Sequence, residues 1–202
     1  QSSGLYKNFT KNENIKSVKK IFISYSKKDF VLVNTFLDHL ASLKLDGKIA
    51  TWYCSELEAG SDWDDKIQKN FNDSDIICFM VSSNFMKTAY IQDVEIKKAF
   101  ERKESDANFK IVPIILDFCN WKTNKNNLGT FTALPYTGKP IKDFFNENMA
   151  WYIIVECLRI LIDKNEQPQN DDYFFELSSD GVYQNNELRN IFERIITKKV
   201  DK

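Results

Sequence analysis

A chain of 202 residues, 43% hydrophobic and 28% charged, can bury one good core and carry an appendage. Its net charge of −1, with acidic and basic residues interleaved, argues against a nucleic-acid binder, and no apolar run approaches bilayer-spanning length. Four scattered cysteines (Cys54, Cys78, Cys119, Cys157) without a Cys-x-x-Cys pair, and His39 as the one histidine, argue against a disulfide framework, a zinc site or a histidine-based triad.

The cysteine pattern reads as reduced, mostly buried thiols in a cytoplasmic protein with no metal. Residues 1–17 are expected to be a disordered leader or added remnant. Lys20–Ser24 is a first strand, and Tyr25–Asp29 a turn in which Asp29 caps the next helix. Over Phe30–Leu43, the residues Val33, Phe36, Leu37, Leu40 and Leu43 recur at helical spacing, with His39 at the surface or in packing. Asp46-Gly47 closes that helix. Ile49–Tyr53 is a second strand, on which Trp52 and Tyr53 alternate, one toward the core and one free. An acidic loop, Cys54–Asp62, follows, and Ser61 or Asp62 caps a helix through Trp63, Ile67 and Phe71. Asp75–Val81 is a third strand, Ser83–Lys103 a helical segment and Lys110–Leu116 a fourth strand, where Pro113 signals a bulge or an edge. Residues 117–147 are mostly loop and contribute a short fifth edge strand. Met149–Ile162 is a helix with Trp151, Ile154, Val155, Leu158, Leu161 and Ile162 on one face. The domain is expected over 18–163. Beyond it, 164–172 reads as a linker, Tyr173–Leu177 as a short strand and Asn186–Lys199 as a helix. This tail either packs on the domain or leads toward a partner module.

Alternating strands and helices predict an α/β domain with a parallel sheet covered on both sides, and such sheets bind ligands at the carboxyl edge of their strands. The loops there lack G-x-G-x-x-G, G-x-x-x-x-G-K-[ST] and G-x-S-x-G, which disfavours dinucleotide-fold, P-loop and hydrolase-elbow chemistry. After the first and third strands stand Ser24-Tyr25-Ser26 and Ser82-Ser83, so a phosphoacceptor aspartate is absent. Glu95 lies between Val94 and Ile96 in the stretch Tyr90–Phe100. A carboxylate so flanked either points to solvent or is held in a cleft.

Phe22-Ile23-Ser24-Tyr25-Ser26-x-x-Asp29 resembles the opening signature of Toll/interleukin-1 receptor (TIR) domains. Leu57-Glu58-Ala59-Gly60 followed by Trp63 resembles the loop after their second strand, the BB loop. Val81-Ser82-Ser83-Asn84-Phe85 followed by Asp93-Val94-Glu95-Ile96-x-x-Ala99 resembles the segment with the catalytic glutamate of NAD-cleaving members. Val112-Pro113-Ile114-Ile115, Cys119-x-Trp121, Ala133-Leu134-Pro135 and Gly138-Lys139-Pro140 are similar to the bacterial branch. The likeness spans roughly 18 to 163 and rests on the order of motifs that are each weak alone.

The resemblance implies a flavodoxin-like, doubly wound parallel five-stranded sheet, here followed by a helical tail. It implies hydrolysis of NAD+ to nicotinamide and ADP-ribose, linear or cyclic, in antiphage defence, with no cofactor and with assembly by TIR–TIR contacts through Leu57, Glu58 and Gly60. Glu95 takes the catalytic position, with Ser24, Tyr25, Ser26, Trp63 and Tyr90 around the substrate. Many NAD-cleaving relatives place a Trp four residues before the glutamate; this chain has Ile91, with Tyr90 the nearest aromatic. The alternative is a non-catalytic adaptor that self-associates through the 54–62 loop and the Glu95 helix.

Overall fold

The structure, a computed structural model, describes residues 17–53, 63–122, 127–135 and 138–164. Among the described residues the apolar runs form four strands: β1 (Lys19–Ser24), β2 (Ile49–Tyr53), β3 (Ile76–Val81) and β4 (Lys110–Ile115). They pair in parallel in the order β2-β1-β3-β4. Every residue of β3 is buried, as a central strand covered on both faces requires.

Strand alternation sorts the core into two layers. Ile21 and Ile23 of β1 face α1 (Phe30–His39), α2 (Ala41–Leu45) and α6 (Glu147–Lys164), where Trp151 stacks on Phe36 at 5.6 Å. Phe22 faces α3 (Trp63–Asn72) and α5 (Ile96–Ser105), among Ile67, Phe71, Ile96 and Ala99. The expected helix over Phe30–Leu43 is divided at Leu40 into α1 and α2, and Gly47, at φ +66°, ends the second piece. His39 lies half-buried with its ring 6.4 Å from Trp151, a packing role. Trp52 and Tyr53 go to opposite faces, but neither is free: Trp52 stacks on Phe22 at 5.0 Å, and Tyr53 packs against the other layer.

Pro113 sits on the outer strand of the described sheet. Its carbonyl accepts from Leu134 N at 2.7 Å, and Ile115 N donates to Leu134 O at 2.9 Å. A residue's N and C=O point to the same side of a strand, so the missing Pro113 N–H faces away from β3 and breaks no β3–β4 bond. The parallel bridge Ile114↔Leu134 occupies the expected place of the fifth strand. Cys78, Cys119 and Cys157 are free thiols, Cys78 and Cys157 buried. The assembly loop with Leu57, Glu58 and Gly60, the caps Ser61 and Asp62, Cys54, and the tail elements at 173–177 and 186–199 lie outside the described residues.

At the amino edge of the sheet, Arg102 of α5 ties α3 to the strand that follows it. Its guanidinium donates to Phe71 O and Ser74 O, both at 2.6 Å, and lies 4.1 Å from the Phe109 ring centre. Both carbonyls belong to the end of α3 and the turn after it, where helical partners run out. Arg102→Ala is expected to cost about 1–2 kcal/mol of folding stability, discounted for partial exposure, as read by urea denaturation.

Candidate functional site

β1 carries the same alternation to its carboxyl end. Ser24 falls on the Phe22 face and is only 3% exposed. That face is the one from which Glu95 approaches.

The segment bearing Glu95 is not one helix. α4 (Ser83–Lys87) stops at Thr88, whose backbone is extended, and the chain then re-enters helix through a π-helical turn at Ile91–Glu95 before α5. The Ile96 N–H donates to Ile91 O, one residue further back than in an α-helix. At about 3.6 residues per turn, an unbroken α-helix would align Ile91, Glu95 and Ala99 and set Ile96 at the margin of their stripe. The wide turn lets Ile91, Ile96 and Ala99 all be buried. Glu95, 8% exposed, then meets Ser24 at the margin of that layer.

Ser24 Oγ donates to Glu95 Oε2 at 2.5 Å. Among the described residues this is the hydrogen bond of the Glu95 side chain, and no cation pairs with it. Burial pushes the Glu95 carboxyl above the ordinary carboxylate range, and the Ser24 hydroxyl, which favours the charged form, opposes that rise. A buried carboxylate without a cation is costly to keep in a fold, and such groups concentrate at functional sites.

A second polar cluster sits beside the first. Asp29 is expected to cap α1, but its side chain makes no cap there. It crosses instead to the β3–α4 turn, where it accepts from Ser82 Oγ at 2.5 Å and from Asn84 Nδ2 at 2.8 Å. Ser82 Oγ in turn accepts from Asn84 N at 3.1 Å and Phe85 N at 3.0 Å, capping α4. The longer-range bond wins because Asp29 is buried and must find donors that Ser82 and Asn84 supply.

Among the described residues, the remaining candidates lie on different faces. Ser26 is buried and begins the short helical turn at Lys27–Asp29 without a side-chain cap bond. Tyr25 packs against the α1/α6 layer, its ring 6.1 Å from Phe30, on the opposite side of the sheet from Ser24. Tyr90, half-buried on the α3/α5 layer, accepts a 3.3 Å hydrogen bond from Gln68 Nε2 of α3. Ile91 is 3% exposed, in the core. Trp63 opens α3, and its side chain lies outside the described residues. Among the described residues, Ser24 and Glu95 are candidates brought into direct contact. The Asp29–Ser82–Asn84 cluster escapes sequence reasoning; its signal is Asp29 and Ser82-Ser83-Asn84 standing after two neighbouring strands.

The model of the TIR domain family matches residues 21–151. The chain is 33% identical over 139 residues to the uncharacterized protein y4lF of Sinorhizobium fredii (strain NBRC 101917 / NGR234). That alignment covers 69% of this chain and 42% of the relative, so the chain spans less than half the relative's length. Among the described residues no helix is long and apolar enough to cross a membrane. The matched span takes in β1 from Ile21 onward, all of β2, β3 and β4, and the Ser24–Glu95 pair, and the chain belongs to the TIR domain family.

Proposed function

We propose that this TIR domain is an NAD+ hydrolase that cleaves the nicotinamide–ribose bond, with Glu95 as its catalytic group. The observation that carries the reading is the buried Glu95 carboxyl at the carboxyl edge of the sheet, held by Ser24 and unpaired by any cation among the described residues. Cleavage passes through an oxocarbenium-like ribose, as in other glycosidic reactions. Nicotinamide departs neutral, so the leaving group needs no general acid. What remains is positive charge on the ribose, which one carboxylate in a water-poor site stabilises far more than water can. Ser26, Trp63 and Tyr90 are proposed to line the substrate, and Tyr25 to shape the β1 turn from the opposite face. The product is ADP-ribose, linear or cyclic, with no cofactor.

Activity is proposed to follow assembly through the loop of Leu57, Glu58 and Gly60, in the cytoplasm and in antiphage defence, with residues 164–202 leading to a partner module. One observation favours a non-catalytic adaptor instead: Ile91 is sunk in the core where many NAD-cleaving relatives carry Trp. The readings separate by incubating concentrated protein with NAD+ and measuring nicotinamide under conditions where light scattering reports assembly. The enzyme releases nicotinamide, and an assembled protein that releases none is the adaptor.

A further inference from the structure

The β1–α1 turn and the segment from Ser82 to Glu95 are fastened to each other at both ends. At one end Ser24, the last residue of β1, holds Glu95. At the other, Asp29 closes the same turn and holds Ser82 and Asn84 at the start of α4. Between the two fastenings the segment is bonded within itself. Thr88 Oγ1 donates to Asn84 O at 2.9 Å, Gln92 N donates to Thr88 O at 3.1 Å, and the buried Gln92 amide donates to Phe85 O at 3.2 Å. The π turn is therefore referenced to α4, and α4 is referenced to Asp29.

We propose that Asp29 is a positioning residue for Glu95, setting through Ser82, Asn84 and α4 where the π turn presents the carboxyl to Ser24. This rests on the reading of Glu95 given above. Asp29 suits the task because both of its oxygens are engaged by neutral donors on one element, which fixes direction as well as distance. Without the Asp29 bonds, α4 retains its Ser82 cap but loses its tie to the β1 turn. A carboxyl that must oppose a developing charge tolerates little displacement.

The test follows the 13C resonance of the Glu95 carboxyl across pH, assigned by its loss in Glu95→Gln, beside kcat and KM for nicotinamide release. Asp29→Ala is expected to move the Glu95 titration midpoint and to lower kcat on the order of tenfold with little change in KM. Asn84→Ala removes one donor and gives a smaller change of the same sign, which carries the test should Asp29→Ala not fold. Asp29→Asn, keeping the shape and one acceptor, recovers most of the wild-type behaviour. Arg102→Ala, at the far edge of the sheet, lowers stability but leaves the Glu95 titration in place. An unchanged Glu95 midpoint in both Asp29→Ala and Asn84→Ala, or an equal displacement in Arg102→Ala, overturns the proposal. If the wild type releases no nicotinamide, the hydrolase reading fails alone, because the carboxyl titration still decides whether Asp29 positions Glu95.

Discussion

Glu95→Gln is expected to reduce nicotinamide release by roughly 10³-fold while making the protein more stable at neutral pH. The two effects have one cause. Burial raises the Glu95 carboxyl above its ordinary range, so the fold prefers it protonated. In the unfolded chain, Glu ionises near its ordinary value of about 4.3. A raised folded value contributes stability that is fully present below the unfolded value and is lost as pH rises through the folded one. Wild type therefore gives up stability across that window, and Gln, which does not ionise and still accepts from Ser24, does not. Thermal melts of both proteins are expected to coincide near pH 4 and to part as pH rises, with Glu95→Gln melting a few degrees higher at pH 7. A variant less stable than wild type at pH 7 would mean that the carboxylate serves the fold.

The four described strands are legible in the sequence because each is a short, largely apolar run between polar turns, most clearly β3, which is buried along its whole length. Pro113 falls on the outermost of the four strands, where its absent N–H faces away from β3 and costs the β3–β4 ladder nothing. The π turn is not legible. Ile91, Glu95 and Ala99 stand at α-helical spacing, and nothing in the local pattern marks the extra residue that the turn at Ile91–Glu95 takes up. Asp29 misleads for a similar reason. A carboxyl before a helix reads as a cap, yet burial gives the tertiary partners Ser82 and Asn84 the stronger claim. Glu95 itself is readable as a candidate through family resemblance, but its contact with Ser24 depends on the face of β1 that Ser24 occupies. Local patterns thus carry the scaffold, whereas the polar contacts that define the site are set between elements distant in the chain.

Ser24→Ala separates two roles that the sequence leaves merged, contact with substrate and partnership with Glu95. The proposed cleavage uses the ionised carboxylate, so under that reading kcat/KM is expected to climb with pH through the Glu95 ionisation, above the ordinary Glu range. The Ser24 hydroxyl donates to the carboxylate and thereby favours ionisation. Removing it leaves burial unopposed and moves the ascending limb to higher pH. A hydrogen bond to a charged group is worth about 1.5–3 kcal/mol. On the acid side of the limb the loss in kcat/KM is therefore expected to be on the order of tenfold or more, with most of the activity recovered once the pH exceeds the displaced limb. A substrate contact behaves otherwise: its removal raises KM by a similar factor at every pH and leaves the limb where it was. The pH–rate profiles of wild type and Ser24→Ala distinguish the two. The geometry favours a displaced limb, because Ser24 is 3% exposed and its hydroxyl is already committed to Glu95 before any substrate arrives.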